Sequence, residues 1–171
     1  MEIPQTLLEM ARRQGLDLVE LVSRALSLDP NRRASAHVEL AERFLAEGRG
    51  LVDRDPVQAS EKLYRAAEEA VKALATALGL GEAERAREYG RWTAQLLFQA
   101  VDSASRIAGR DLRLLWRAAW FLHVEGLHEA RLNSAQVKED VEYVEKIVDL
   151  ASKYVKKARG LAEGNRAGSG A

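Results

Sequence analysis

Near the C-terminal end of the chain, Val137, Val141, Val144, Val148, Ala151, Val155 and Ala158 recur at alternating spacings of four and three residues. A strand would need its apolar residues at every second position, whereas this spacing lays them along one stripe of an α-helix. A straight helix with such a seam needs a long partner, either a neighbour in a bundle or a second copy of the chain. Asn133 caps its start, with Gln136 at the reciprocal capping position. The same helical rhythm fills the rest of the sequence, and no Asn-Gly or Asp-Gly hairpin turn interrupts it. The fold class expected is all-α.

The upstream boundaries follow from prolines, caps and glycines. Pro4 and the stretch Thr6 to Arg13, closed by Gly15, predict a short first helix. Leu16 to Leu28 predicts a second, with Leu18, Leu21, Val22, Ala25 and Leu26 on its packing stripe. Asp29-Pro30 and Asp55-Pro56 each pair an N-cap with a helix-starting proline. The helix after Pro30 carries Val38, Ala41, Leu45, Gly48 and Val52 as its seam, with Glu39 and Arg43 pairing on the wet side and His37 expected at the surface. The helix after Pro56 is expected to bury Leu63, Ala67, Ala70, Val71, Leu74 and Leu78 before Gly79-Leu80-Gly81 ends it. One long helix is expected from Glu82 to about Ala108, with Tyr89, Thr93, Leu96, Leu97, Ala100, Ala104 and Ile107 inward. Residues 1–163 thus read as one domain, 1–28 packing on the bundle, and 164–171 as a flexible tail.

Composition excludes several function classes. Lys+Arg 26 against Asp+Glu 26 cancel, so no global field draws nucleic acid and any such site is a local patch. Zero cysteines remove thiolate nucleophiles, Cys-zinc sites and disulfides, and fit a cytoplasmic protein. No apolar run approaches the ~20 residues of a membrane span. An excess of Arg over Lys with scarce Asn points toward a thermophile.

Chemistry-bearing residues concentrate in Leu112 to Arg131, which holds two of the three tryptophans and two of the three histidines. At about 100° per residue, Leu112, Leu115, Ala119, Leu122 and Gly126 form its buried face. Arg113, Arg117, Val124, His128 and Arg131 fall on another stripe, flanked by Trp120 and Phe121. Guanidinium forks beside aromatic rings suit a phosphate and a stacked base; the same residue types also dominate protein interfaces. Arg113, Arg117, Trp120, His128 and Arg131 are the binding candidates. His123, among Phe121, Leu122 and Val124, is expected to be buried and hydrogen-bonded to backbone or a carboxylate. His128 has no second imidazole at i+4, because His123 lies five residues back, and no metal or other cofactor is expected.

Trp116…Trp120, the segment LHVEGLHEARL (Leu122 to Leu132) and the final valine-seamed helix resemble the archaeal PaREP-type proteins, as does GLDLVELV (Gly15 to Val22). By resemblance of fold these belong to the HEPN-like helical bundles. The resemblance, from about Pro4 to Ala158, implies an up-and-down bundle of four to five long helices, with two short N-terminal helices, paired as a homodimer. Nuclease members of the wider HEPN group carry an Arg and, after four to six intervening residues, a His. Arg117 and His123 meet that spacing, but Ala118 stands where a polar residue is usual. Six residues of α-helix also set the two side chains about 120° apart. Two functions are therefore expected to compete: a non-catalytic dimer binding a nucleotide, nucleic acid or protein, and a metal-independent ribonuclease using Arg117 and His123.

Overall fold

The computed structural model describes residues 3–168. Two short helices, α1 (Gln5–Arg13) and α2 (Leu18–Ala25), precede two long ones, α3 (Pro30–Leu51) and α4 (Pro56–Ala77). Helices α5 (Gly81–Tyr89), α6 (Ala94–Ala108) and α7 (Leu112–Phe121) follow. A π-helical segment, Leu122–His128, extends α7, and α8 (Ser134–Gly168) closes the chain. No strand occurs among the described residues, and none of their helices is long and apolar enough to cross a membrane.

The caps act as their residue types dictate. The Asp29 carboxylate accepts from the Arg32 N–H at 3.0 Å and the Asp55 carboxylate from Gln58 N–H at 3.0 Å, each just ahead of its proline. Asn133 and Gln136 exchange both bonds of a capping box at 3.0 Å.

Helix α4 is the axis of the bundle, with α3, α6, α7, the π-segment and α8 against it. It is buried at most positions from Ala59 to Thr76, and six of those positions are alanine. Small side chains let neighbouring backbones approach closely. The seam of α8 is consumed here: Val137, Val144, Val148, Ala151 and Val155 are buried within the single chain, so the long partner is the bundle itself. Helix α8 runs on through Gly168, past the expected start of the tail; residues 169–171 lie outside those described.

The structure departs from the expected elements in four places. The long helix from Glu82 breaks at Gly90, whose φ of 67° ends α5 in the left-handed region. Its carbonyl accepts the Asp17 N–H at 2.8 Å, and the Leu21 side chain fills the space a Cβ would need. Helix α2 therefore docks at the break. Thr93 restarts the chain as the N-cap of α6 rather than pointing inward, and Tyr89 and Ile107 are exposed. Second, α2 buries Glu20 and Ser23 and exposes Val22 and Leu26, so its packing face is polar. Third, Arg43 faces Glu47 at 3.9 Å, not Glu39. Fourth, Leu112 to Arg131 is not one α-helix.

Helix α7 buries Leu112 and Ala119, as the stripe predicts, and Trp116 beside them, while Leu115 of that stripe and Trp120 are half-buried. Beyond Phe121 the turns widen, and the Glu129 N–H donates to the Val124 carbonyl five residues back at 2.9 Å. Ala130, at φ 52°, turns the chain out, and the Arg131 N–H closes on the Glu125 carbonyl at 2.9 Å. Gly126 seats the π-segment on α4: a Cβ there would lie 2.2 Å from Ser60 Oγ and 2.5 Å from Ser60 Cβ. Gly126→Ala is expected to cost about 1–3 kcal/mol in urea denaturation, as overpacking does. In a double-mutant cycle Ser60→Gly should return most of that loss; strictly additive effects would refute the contact.

Candidate functional site

Two clusters of chemistry-bearing side chains flank α4, one at each of two helix junctions. The first lies at the α7–π junction. Tyr64 of α4 stacks on His123 with ring centroids 4.1 Å apart, while Trp120 packs on Tyr64, Phe98 and His123. His123 and His128 meet Nε2 to Nε2 at 3.2 Å. In an α-helix, residues five apart point about 140° away from each other. Hydrogen bonding to the fifth residue brings that spacing into register, so the π-segment makes the pair. The partner of His123 is thus another imidazole, not the backbone or carboxylate expected for it. His123 Nδ1 is buried with no hydrogen-bond partner. Burial, and then the neighbouring His128, push the His123 pKa down from its ordinary value.

The arginines of the predicted stripe separate. Arg113 is held by Asp102 of α6 at 2.9 Å, and Arg131 by Glu129 at 2.8 Å and Glu125 at 3.4 Å. Among the described residues Arg117 makes no ion pair; it is exposed one turn before Phe121, itself 45% exposed. No hydrogen bond joins Arg117 to His123 among the described residues. Nor do three or more His, Asp or Glu side chains converge there to hold a metal ion.

The second cluster was not anticipated from the sequence. His37, expected at the surface, is fully buried. Its Nδ1 meets Glu69 Oε2 at 2.6 Å and its Nε2 meets Glu20 Oε1 at 3.2 Å. Carboxylates only accept, so both ring nitrogens donate and the ring is a cation. Glu20 also accepts from Trp92 Nε1 at 2.9 Å and pairs with Arg33, which reaches Glu84 at 2.7 Å. Lys72 Nζ lies 2.8 Å from each of Asp17, Glu68 and Glu69. Three buried cations thus sit among carboxylates, of which Glu20 and Glu69 are themselves buried, tying α2 to α3, α4 and the α5–α6 junction. A cleft of about 450 Å³ opens above them, lined among others by Arg12, Asp17, Phe44, Glu68, Lys72 and Trp92.

A readable signal for His37 existed. The α3 seam extends back from Ala41 by four and then three residues to His37 and Ala34, and both are buried. Glu69 and Lys72, likewise, sit inside the alanine-rich run of α4.

A known family's signature covers the α7–π junction and the α3–α4 part of the ionic cluster. The description "Archaeal PaREP1/PaREP8 family" matches residues 36–148, about two thirds of the chain. The chain belongs to that family. His37, Glu69, Lys72 and the whole α7–π junction lie inside the family region; α1, α2 and Arg33 lie outside it. The crystal structure of a protein from Sulfolobus solfataricus is similar at 40% identity and a TM-score of 0.57, over 71% of this chain and 95% of that one. A solution structure of the Orf c02003 protein is similar at 39% identity and a TM-score of 0.55, over 72% and 91%. No curated protein matches the chain.

The buried network makes stability pH-dependent. Burial by itself pulls the His37 pKa down, but hydrogen bonds to Glu20 and Glu69 and the charges of Glu69 and Asp17 outweigh it, giving about 9. Burial pushes Glu69 up, and Lys72 and His37 more than reverse that, to about 2. A raised histidine pKa stabilises fully below the unfolded value near 6.5 and loses that stabilisation as pH climbs through about 9. Denaturant unfolding is therefore expected to lose roughly 3 kcal/mol between pH 6.5 and 9. His37→Gln should be less stable at pH 6.5 and lack this alkaline decline; a decline unchanged in the variant would assign it elsewhere.

Proposed function

We propose that the protein is a HEPN-like, non-catalytic homodimeric module that binds a phosphate-bearing, base-containing ligand, a nucleotide or single-stranded RNA, on the exposed side of α7 and the π-segment. The observation that carries this proposal is Arg117. Its stripe companions Arg113 and Arg131 are neutralised by carboxylates, whereas Arg117 is left for an outside anion, one turn from the exposed Phe121 ring. A guanidinium suits a phosphate, and an open aromatic face suits a base at a net neutral surface. Trp120, tethered to Phe98 and Tyr64, gives that surface a rigid floor, and His128 its polar rim.

A metal-independent ribonuclease is the second reading. The hydrogen-bonded imidazole pair favours it, because one Nε2 donates a proton to the other and burial lowers the His123 pKa from its ordinary value. Arg117 does not touch His123, so the cation that a phosphorane needs would have to come from the substrate-bound state or from the second copy.

In fluorescence anisotropy with a short single-stranded RNA, Phe121→Ala should weaken binding by about 1–3 kcal/mol, the range for one stacked base. Arg117→Glu should weaken it further and flatten its salt dependence. The RNA should stay intact without divalent metal, and the mass should approach twice 19.0 kDa at high concentration. Cleavage abolished by His123→Ala would replace this proposal with the ribonuclease; a monomer that ignores both substitutions would end it.

A further inference from the structure

We propose that Nε2 of His123 and Nε2 of His128 form a two-imidazole chelate for a divalent transition-metal ion of the zinc, nickel or copper class. The two nitrogens lie 3.2 Å apart with the rings nearly perpendicular, at 83°. Zinc–imidazole bonds of about 2.0–2.1 Å put two tetrahedral corners roughly 3.3–3.4 Å apart. The separation of the two nitrogens therefore already matches that of two ligands on one ion.

The surroundings fit a ligand pair better than a packing pair. His123 is clamped by Tyr64 and Trp120, and its Nδ1 is buried, so Nε2 is its one nitrogen available for exchange. His128 is exposed and free to swing the last few tenths of an ångström. Glu68 of α4 is near enough to act on the His123 ring electrostatically, and its negative charge favours a cation. The π-turn that creates the pair is a rare local conformation that recurs at functional sites. With only two protein ligands gathered there, the remaining positions stay open to water or an exchangeable anion.

The proposal is independent of the nucleotide reading and is tested without RNA. The chain has three histidines and no cysteine, and His37 is locked between two carboxylates, so histidine-dependent binding must map to this pair. Isothermal titration of the full chain with zinc chloride, and separately nickel chloride, should give one saturable site per chain. Loss even of an outer-shell partner weakens metal sites by roughly 10–100-fold. His128→Ala, at an exposed position, should therefore weaken binding at least about tenfold while far-ultraviolet circular dichroism stays unchanged. His123→Gln should do the same, and imidazole nitrogen resonances of both rings should shift as metal is added. No saturable binding, or equal affinity in His128→Ala, would overturn the chelate and leave a plain hydrogen bond between the two rings.

Discussion

Helix α4 is enclosed on nearly all sides, and the rest of the molecule is arranged to make that enclosure possible. A central helix can be surrounded closely only if its side chains are small, which its alanines supply. Where they are not enough, the neighbours give way: Gly48 of α3 leaves room for Leu63, and Gly126 of the π-segment leaves room for Ser60. The polar groups of α4 are enclosed too, and each must find a partner inside. Ser60 and Thr76 return hydrogen bonds to carbonyls four residues back, at 2.7 and 2.8 Å. Glu69 and Lys72 cannot do so, and they recruit His37, Asp17 and Glu68 instead. The buried ionic network thus follows from surrounding a helix that carries charge. Networks of this kind contribute little net stability when complete, but become strongly destabilising when one member is removed.

The same enclosure sets up the α7–π junction. Tyr64 extends from α4 to stack on His123, and close seating at Gly126 fixes the segment that carries both imidazoles. Its widened turns convert a five-residue spacing from divergence into contact. One local change in hydrogen bonding thereby decides whether His123 and His128 are separate surface groups or a pair with shared chemistry. The arginines undergo the reverse change: helical spacing groups them, and neighbouring carboxylates divide them, leaving Arg117 as the cation open to solvent.

Most of the fold was legible because local signals and core packing agree. Aspartate-proline starts, the Asn133–Gln136 box and the valine seam specify helices that begin where expected, and α4 and α8 bury the expected faces. Reading Glu82 to Ala108 as one helix overlooked Gly90, a residue tolerable inside a helix; its left-handed conformation is selected by Leu21, sixty-nine positions earlier. His37 was misplaced for a related reason. A histidine on a helix seam is costly to bury unless carboxylates from other helices meet it, and Glu20 and Glu69 come from α2 and α4.

The sequence alone determined which segments are helices, where most of them begin, and which stripe of α7 and α8 turns inward, because these depend on spacings of three and four within one segment. It also singled out Leu112 to Arg131 as the place where aromatics, arginines and imidazoles gather. Tertiary structure decided which of those groups remain free, that His123 answers to His128, that His37 is a buried cation, and that the α8 seam is filled within one chain. Most of these outcomes depend on atoms from another helix, on desolvation or on backbone approach. Those quantities exist only once α4 has been surrounded.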